Sequence, residues 1–364
     1  MTITPPISNK RSHDNYIAIA KAIGIICVVI WHSRPPQWLG MLTMFFAVPL
    51  FFFASGYFYK PANDFKELKT FYWKRIKGLY FPFVKWSLLF LLLHNICFHF
   101  NIYNDQYGFR GEVSHLYSIT EFMKHAINIV CTMRDNEQLL GAFWFIRALF
   151  LGALLVATVQ FFFRRWGFIN RYIMFFVLLF ASIVATHFNI SIPVIGSIGL
   201  ILFSATFYVA GYCYRKIENE WCYSKLSLFI TTLVTFAGLV YFNRVVGVLG
   251  IHTADILPYS IVGLCGIVMV LNLSKRIELH SIRSLLYYIG NNTMIILSLH
   301  FISFKLVSLI KIGLYGWPIE RLAEFPVIEQ NNEFWWFLYC MIGLATPLLI
   351  QYGYDNTKKL LCNK

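Results

Sequence analysis

Charge is scarce in this sequence. Asp, Glu, Lys and Arg make up 13% of its 364 residues, about half of the roughly 25% usual in soluble domains. A water-facing surface needs more, so a soluble domain is excluded. Cysteines at metal or redox spacing are missing as well. The eight cysteines are scattered with no C-x-x-C pair, so neither a metal site nor a disulfide framework is expected. Cys27, Cys213, Cys265 and Cys340 fall within apolar runs and read as packing residues. A secretory signal is lacking too. Met1 to Asn15 is polar, holds Pro5 and Pro6, and no small-residue cleavage site follows the first apolar run, which therefore reads as a retained helix. Internal repeats and low-complexity segments are absent.

What the chain has in quantity is apolar and aromatic side chains, 58% and 18% of its residues, with 36 Phe and 21 Tyr. A helix needs about 20 mostly apolar residues to cross the hydrocarbon core. Ten such runs occur, near 16–33, 42–59, 79–99, 142–163, 172–189, 196–214, 226–243, 256–273, 290–311 and 334–353. The predicted fold class is all-α: a polytopic integral membrane protein in contact with membrane lipid. A single transmembrane domain is expected over 1–364, with short tails at 1–15 and 354–364. The longest connection, 100–141, is polar and is expected on the membrane surface.

The net charge of +14 would suggest nucleic acid in a soluble protein. Here no nucleic-acid partner is expected, because topology accounts for the charge. With ten spans both termini share one side, and that side holds 20 of the 31 Lys and Arg, against 7 on the other and 4 inside spans. The asymmetry predicts cytoplasmic termini.

The four intramembrane cations, Lys21, Lys85, Arg147 and Lys305, are the most informative residues. A charge at the bilayer centre costs at least about 2.5–3.5 kcal/mol, so it usually faces a wet cavity or a partner. Lys85 is near a span end and can snorkel. Arg147 and Lys305 lie deeper and read equally as cavity lining or structural pairing. Lys21 and His32 share the first span. Eleven steps of about 100° return a helix to within roughly 20° of its starting face, about 16 Å further along the axis. One groove would thus present a cation towards the cytoplasm and an imidazole near the outer end. Intramembrane Lys, Arg and His also mark transporter substrate paths, which leaves a polytopic transporter of a glycan precursor or small anion as the alternative.

The segment from Lys21 to His32, KAIGIICVVIWH, resembles the Arg/Lys-x10-His signature of the acyltransferase-3 family, membrane O-acyltransferases of bacterial surface polysaccharides. Four further segments resemble that family's motifs in its order: FFFASGYFY from Phe51, KRIKGLYFPF from Lys74, FWFIRALF from Phe143 and IGNNTMIILSLH ending at His300. Two departures stand out. Ala18 occupies a place where many relatives carry an acid, and Lys74-Arg75-Ile76-Lys77 replaces a usual Arg-x-x-Arg. Because the chain ends just after its last span, the esterase-like extracytoplasmic domain fused to some relatives is not expected.

The resemblance implies a bacterial cytoplasmic-membrane enzyme that takes an acyl group, by default from acetyl-CoA, and moves it to a hydroxyl of a cell-surface glycan or lipid-linked saccharide. It implies His32 as the catalytic base, acting directly or through an acyl-histidine. His300 would orient His32 or bind the acceptor. Lys21 or Arg147 would stabilise the oxyanion or guide the donor. The cations of the 60–77 loop, chiefly Lys74, Arg75 and Lys77, would hold CoA phosphates or simply orient the chain. Ser55, with Gly56, would let the donor approach the second span or let helices pack, and Trp144 would line the acyl tunnel. No metal is required.

Overall fold

The computed structural model describes residues 10–108, 111–134, 136–164 and 170–362. The outer parts of both predicted tails, and Arg110, Arg165 and Lys364 from the charge count, lie outside the described residues. Thirteen α-helices run through the described chain: α1 (Lys10–His32), α2 (Gln37–Tyr57), α3 (Phe65–Arg75), α4 (Phe81–His99), α5 (Ile119–Thr132), α6 (Trp144–Phe163), α7 (Arg171–His187), α8 (Ile198–Ile217), α9 (Lys225–Phe242), α10 (Ile256–Ile277), α11 (Arg283–Asn291), α12 (Thr293–Tyr315) and α13 (Trp335–Cys362). A two-stranded hairpin, Ser191–Ile192 with Gly196–Ser197, joins α7 to α8. Among the described residues nine helical stretches are long and apolar enough to span a membrane. The shorter α7, 17 residues, sits where the fifth span was expected. The chain is an all-α polytopic membrane protein.

Local sequence explains the breaks. Pro35 and Pro36 cannot continue α1, since proline lacks an N–H and restricts the residue before it. Arg34, just before them, turns with φ 57°. The 60–77 segment, read as a loop, is mostly α3. Asp64 caps it by accepting the Glu67 backbone N–H at 2.7 Å. A π-helical turn, Ile76–Tyr80, then fuses α3 to α4 in one 35-residue stretch. The 290–311 span is two helices, α11 and α12, broken at Asn292. The 100–141 connection contains amphipathic α5, which exposes Ile119, Met123, Ile127 and Val130. That stripe suits the predicted position at a membrane surface.

α1 lies at the centre, against α2, α10, α11, α12 and α13. α2 and α8 form the other main seam and meet almost backbone to backbone. A Cβ on Gly56 would fall 1.7 Å from the Tyr208 carbonyl oxygen, and one on Gly211 2.0 Å from that of Phe53. Gly56 thus serves helix packing. Large apolar side chains such as Leu92, Phe180, Phe229 and Leu349 stay exposed on the outside of the bundle, where lipid replaces water.

On the face opposite the termini, 316–334 folds back over α12. Lys305 donates to the carbonyls of Leu322 and Glu324 at 2.8 and 2.7 Å, so of its two readings the structure shows pairing. Lys311 is likewise buried in α12 and donates to the Ile328 carbonyl at 2.9 Å. His94 is buried in α4. Its Nδ1 lies 3.1 Å from Glu137 and its Nε2 3.0 Å from the His115 carbonyl.

Gly211→Ala tests the α2–α8 seam. Its methyl cannot fit without parting the two backbones, and overpacking of this kind costs about 1–3 kcal/mol. Thermal unfolding of the purified protein should show a lowered Tm.

Candidate active site

The centre of the site is a pair of imidazoles from the first and twelfth helices. His32, at the last turn of α1, places Nδ1 3.0 Å from Nε2 of His300. His300 is fully buried, and its Nδ1 lies 3.0 Å from the carbonyl oxygens of both Ile296 and Leu297. Carbonyl oxygens only accept, so His300 Nδ1 carries a hydrogen. In the neutral ring Nε2 is then an acceptor, and the shared hydrogen bond must be donated by His32 Nδ1–H. His32 is left with an unprotonated Nε2, which has no hydrogen-bond partner among the described residues. Phe301 packs against both rings, at 4.6 and 4.0 Å between centroids.

Close approach of α11–α12 to α1 makes this pair. A Cβ on Gly290 would sit 1.9 Å from the Ala18 carbonyl oxygen. Only glycine lets the chain pass so near, and the step into α12 ten residues later delivers His300. Ala18, the position with an acid in many relatives, is thus a packing point here.

His32 lines a cavity of about 710 Å³, within the size range of ligand sites. Lys21, Ser55 and Trp144 line it too. Lys21 makes no ion pair among the described residues, so the cavity holds an uncompensated cation and an imidazole. Its middle is apolar, with Ala47, Val48, Phe51, Phe145 and Leu149. One end is polar, where Arg244 donates to Asp255 at 2.6 Å beside His252 and Arg34. Sequence reasoning missed this group, because the spacing of Arg244, His252 and Asp255 carries no recognisable pattern.

The other expected residues are distributed unevenly. Arg75 is not on the cavity wall but touches it, donating to Ser55 Oγ at 3.0 Å and to the Tyr208 hydroxyl at 3.2 Å. Lys74 and Lys77 are exposed on the α3–α4 segment, with the Lys77 ammonium 5.2 Å from the Trp73 ring. Neither lines the cavity. Arg147 departs from its expected place beside Lys21. It lies one turn into α6, where its Nη2 donates to the Val194 carbonyl at 2.7 Å, and it does not line the cavity. The hairpin between α7 and α8 takes that guanidinium because the carbonyl is a ready acceptor close by. Among the described residues no group of three or more His, Cys, Asp or Glu is arranged to hold a metal ion.

A polytopic helical bundle with two hydrogen-bonded histidines, one of them on the wall of a cavity, defines a membrane protein with a candidate site inside the bundle. The sequence profile of the acyltransferase-3 family, an acyltransferase domain, matches residues 14–352. The chain belongs to that family and is a membrane acyltransferase. Comparison with curated proteins and with solved structures returned no match.

The tautomer assignment predicts a spectrum. In ¹⁵N-histidine NMR both His32 and His300 should report hydrogen on Nδ1. Gly290→Ala, by pushing α11–α12 off α1, should abolish the inter-ring bond. A His32 signal protonated on Nε2 in the wild type would contradict the assignment.

Proposed function

We propose that the protein is an acetyl-CoA-dependent O-acetyltransferase of the bacterial cytoplasmic membrane. It works as a single transmembrane domain and acylates a hydroxyl of a cell-surface or lipid-linked glycan on the outer face. The observation that carries the proposal is the Nε2 of His32, without a hydrogen-bond partner among the described residues, on the wall of a cavity that also holds Lys21, likewise without an ion pair among them.

A sugar hydroxyl is a weak nucleophile and must lose its proton as it attacks. His32 Nε2 takes that proton, the hydroxyl oxygen bonds to the thioester carbonyl carbon, and a tetrahedral oxyanion forms. The intermediate collapses with loss of the CoA thiolate, which recovers the proton from His32. His300 is a positioning residue. By accepting the Nδ1 hydrogen it keeps His32 in the tautomer that has its lone pair on Nε2, and it supports the imidazolium when that forms. Lys21, about 16 Å along α1 from His32, supplies positive charge to the incoming donor. The apolar middle of the cavity suits the acyl-pantetheine arm, with Trp144 and Phe145 along it. Arg75, through Ser55, stands where the arm would enter, while Lys74 and Lys77 add positive charge outside. The polar end, Arg244 with Asp255 and His252, suits an acceptor bearing hydroxyl groups.

Purified protein with radiolabelled acetyl-CoA should release CoA in an acceptor-dependent way. Removing a general base lowers the rate by about 10²–10⁴-fold, so His32→Ala should do so; retained activity would remove His32 from the chemistry. His300→Ala should lower kcat on the order of 10²-fold, the scale of a misplaced catalytic group, with KM for the donor unchanged and the pH profile displaced.

Sidedness is tested separately. Intact spheroplasts fed internal acetyl-CoA should accumulate acylated glycan on the outer surface. Product confined to the cytoplasmic face, as inverted vesicles would show, would overturn the transmembrane route.

A further inference from the structure

A second pocket, of about 340 Å³, opens on the face that carries the termini, where the end of α2, the start of α7 and the end of α8 converge. Four cations line it, Lys60, Arg171, Arg215 and Lys216, together with Tyr59 and Tyr212 and no carboxylate. Among the described residues none of the four cations is in an ion pair. Of these four only Lys60 belongs to the cluster expected to hold phosphates; the others were read as orientation charges.

Orientation alone does not require like charges around one concavity, where they repel each other. The two guanidiniums are also fixed in place. Arg171 stacks 4.2 Å from the Tyr212 ring and donates to the Tyr212 carbonyl at 3.3 Å. Arg215 lies 5.6 Å from the Tyr57 ring and donates to the Tyr57 carbonyl at 3.2 Å. Each spends one donor and keeps four of the five that a guanidinium has. Tyr59 is buried, and its hydroxyl has no hydrogen-bond partner among the described residues.

The pocket is a short relay from the active-site cavity. The Tyr59 ring lies 5.7 Å from that of Tyr208. The Tyr208 hydroxyl accepts from Arg75, which also donates to Ser55 on the cavity wall. We propose that this pocket binds a phosphate ester. Fixed guanidiniums with free N–H groups suit phosphate oxygens, which accept paired charge-assisted hydrogen bonds. The phosphate has two sources, the nucleotide end of the thioester donor or the headgroup of an anionic phospholipid. Only the first rests on the function proposed above.

The experiment uses the full chain in phosphatidylcholine nanodiscs, with Arg171→Gln/Lys216→Gln as the altered protein and Lys60→Gln as a milder one that keeps the packed guanidiniums. Adenosine 3′,5′-bisphosphate is titrated by calorimetry, and in a parallel arm thermal unfolding is followed with phosphatidylglycerol added to the discs. If the donor supplies the phosphate, the nucleotide Kd should rise about tenfold or more in the double variant, which is about 1.4 kcal/mol, and measurably in Lys60→Gln. If lipid supplies it, phosphatidylglycerol should raise the Tm of the wild type and not of the variants. Binding and stabilisation that are identical in all three proteins would overturn the proposal. The same titration on His32→Ala should match the wild type, so loss of catalysis and loss of the pocket are separately visible.

Discussion

The hydrogen bond between His32 and His300 is the constraint on which the rest of the site depends. An imidazole buried among apolar helices has one acceptor and one donor to satisfy, and each choice fixes the next. Carbonyls of Ile296 and Leu297 take the Nδ1 hydrogen of His300. That leaves Nε2 for His32 and forces the tautomer of the ring facing the cavity. The chain of assignments begins in the backbone of α12, so the orientation of His32 is set by a helix far from it in sequence. It holds only while Gly290 allows α11–α12 to lie against Ala18.

Around that pair the molecule solves its polar problems locally. Lys305 and Lys311, expensive groups inside an apolar bundle, are spent on carbonyls of the segment that covers the face opposite the termini. Arg147 is spent on the α7–α8 hairpin. Lys21 differs: it lines the cavity without a counter-ion among the described residues. Where Lys305, Lys311 and Arg147 are satisfied by backbone carbonyls, Lys21 lines the same cavity as His32, about 16 Å away along α1. The glycines of the α2–α8 seam act in the same way on geometry. By bringing the two helices together, they place Ser55 and Tyr208 within reach of one guanidinium, Arg75.

Much of this was legible in the sequence. Among the described residues the ten apolar runs fall on the nine long helical stretches and the shorter α7, because hydrophobic length is a local property that a bilayer enforces. The pairing of Lys21 with His32 on one groove follows from helical periodicity within a single span. The proline pair after His32 fixes the end of α1 for equally local reasons. The short helix α3 was not legible as such, since its polar composition resembles a loop until Asp64 caps it. The break between α11 and α12 was hidden inside one apolar run.

By itself the sequence determined the class of fold, the helices, and which residues are too costly to bury without purpose. Periodicity and hydropathy act over one or two turns, and those judgements need no more. Only the tertiary structure decided which costly residues share a cavity. It joined His300 to His32, took Arg147 and Lys305 away to backbone carbonyls, and set Arg244 beside Asp255. Those outcomes depend on contacts between helices distant in sequence, where a carbonyl or a glycine on another segment decides what a side chain can reach.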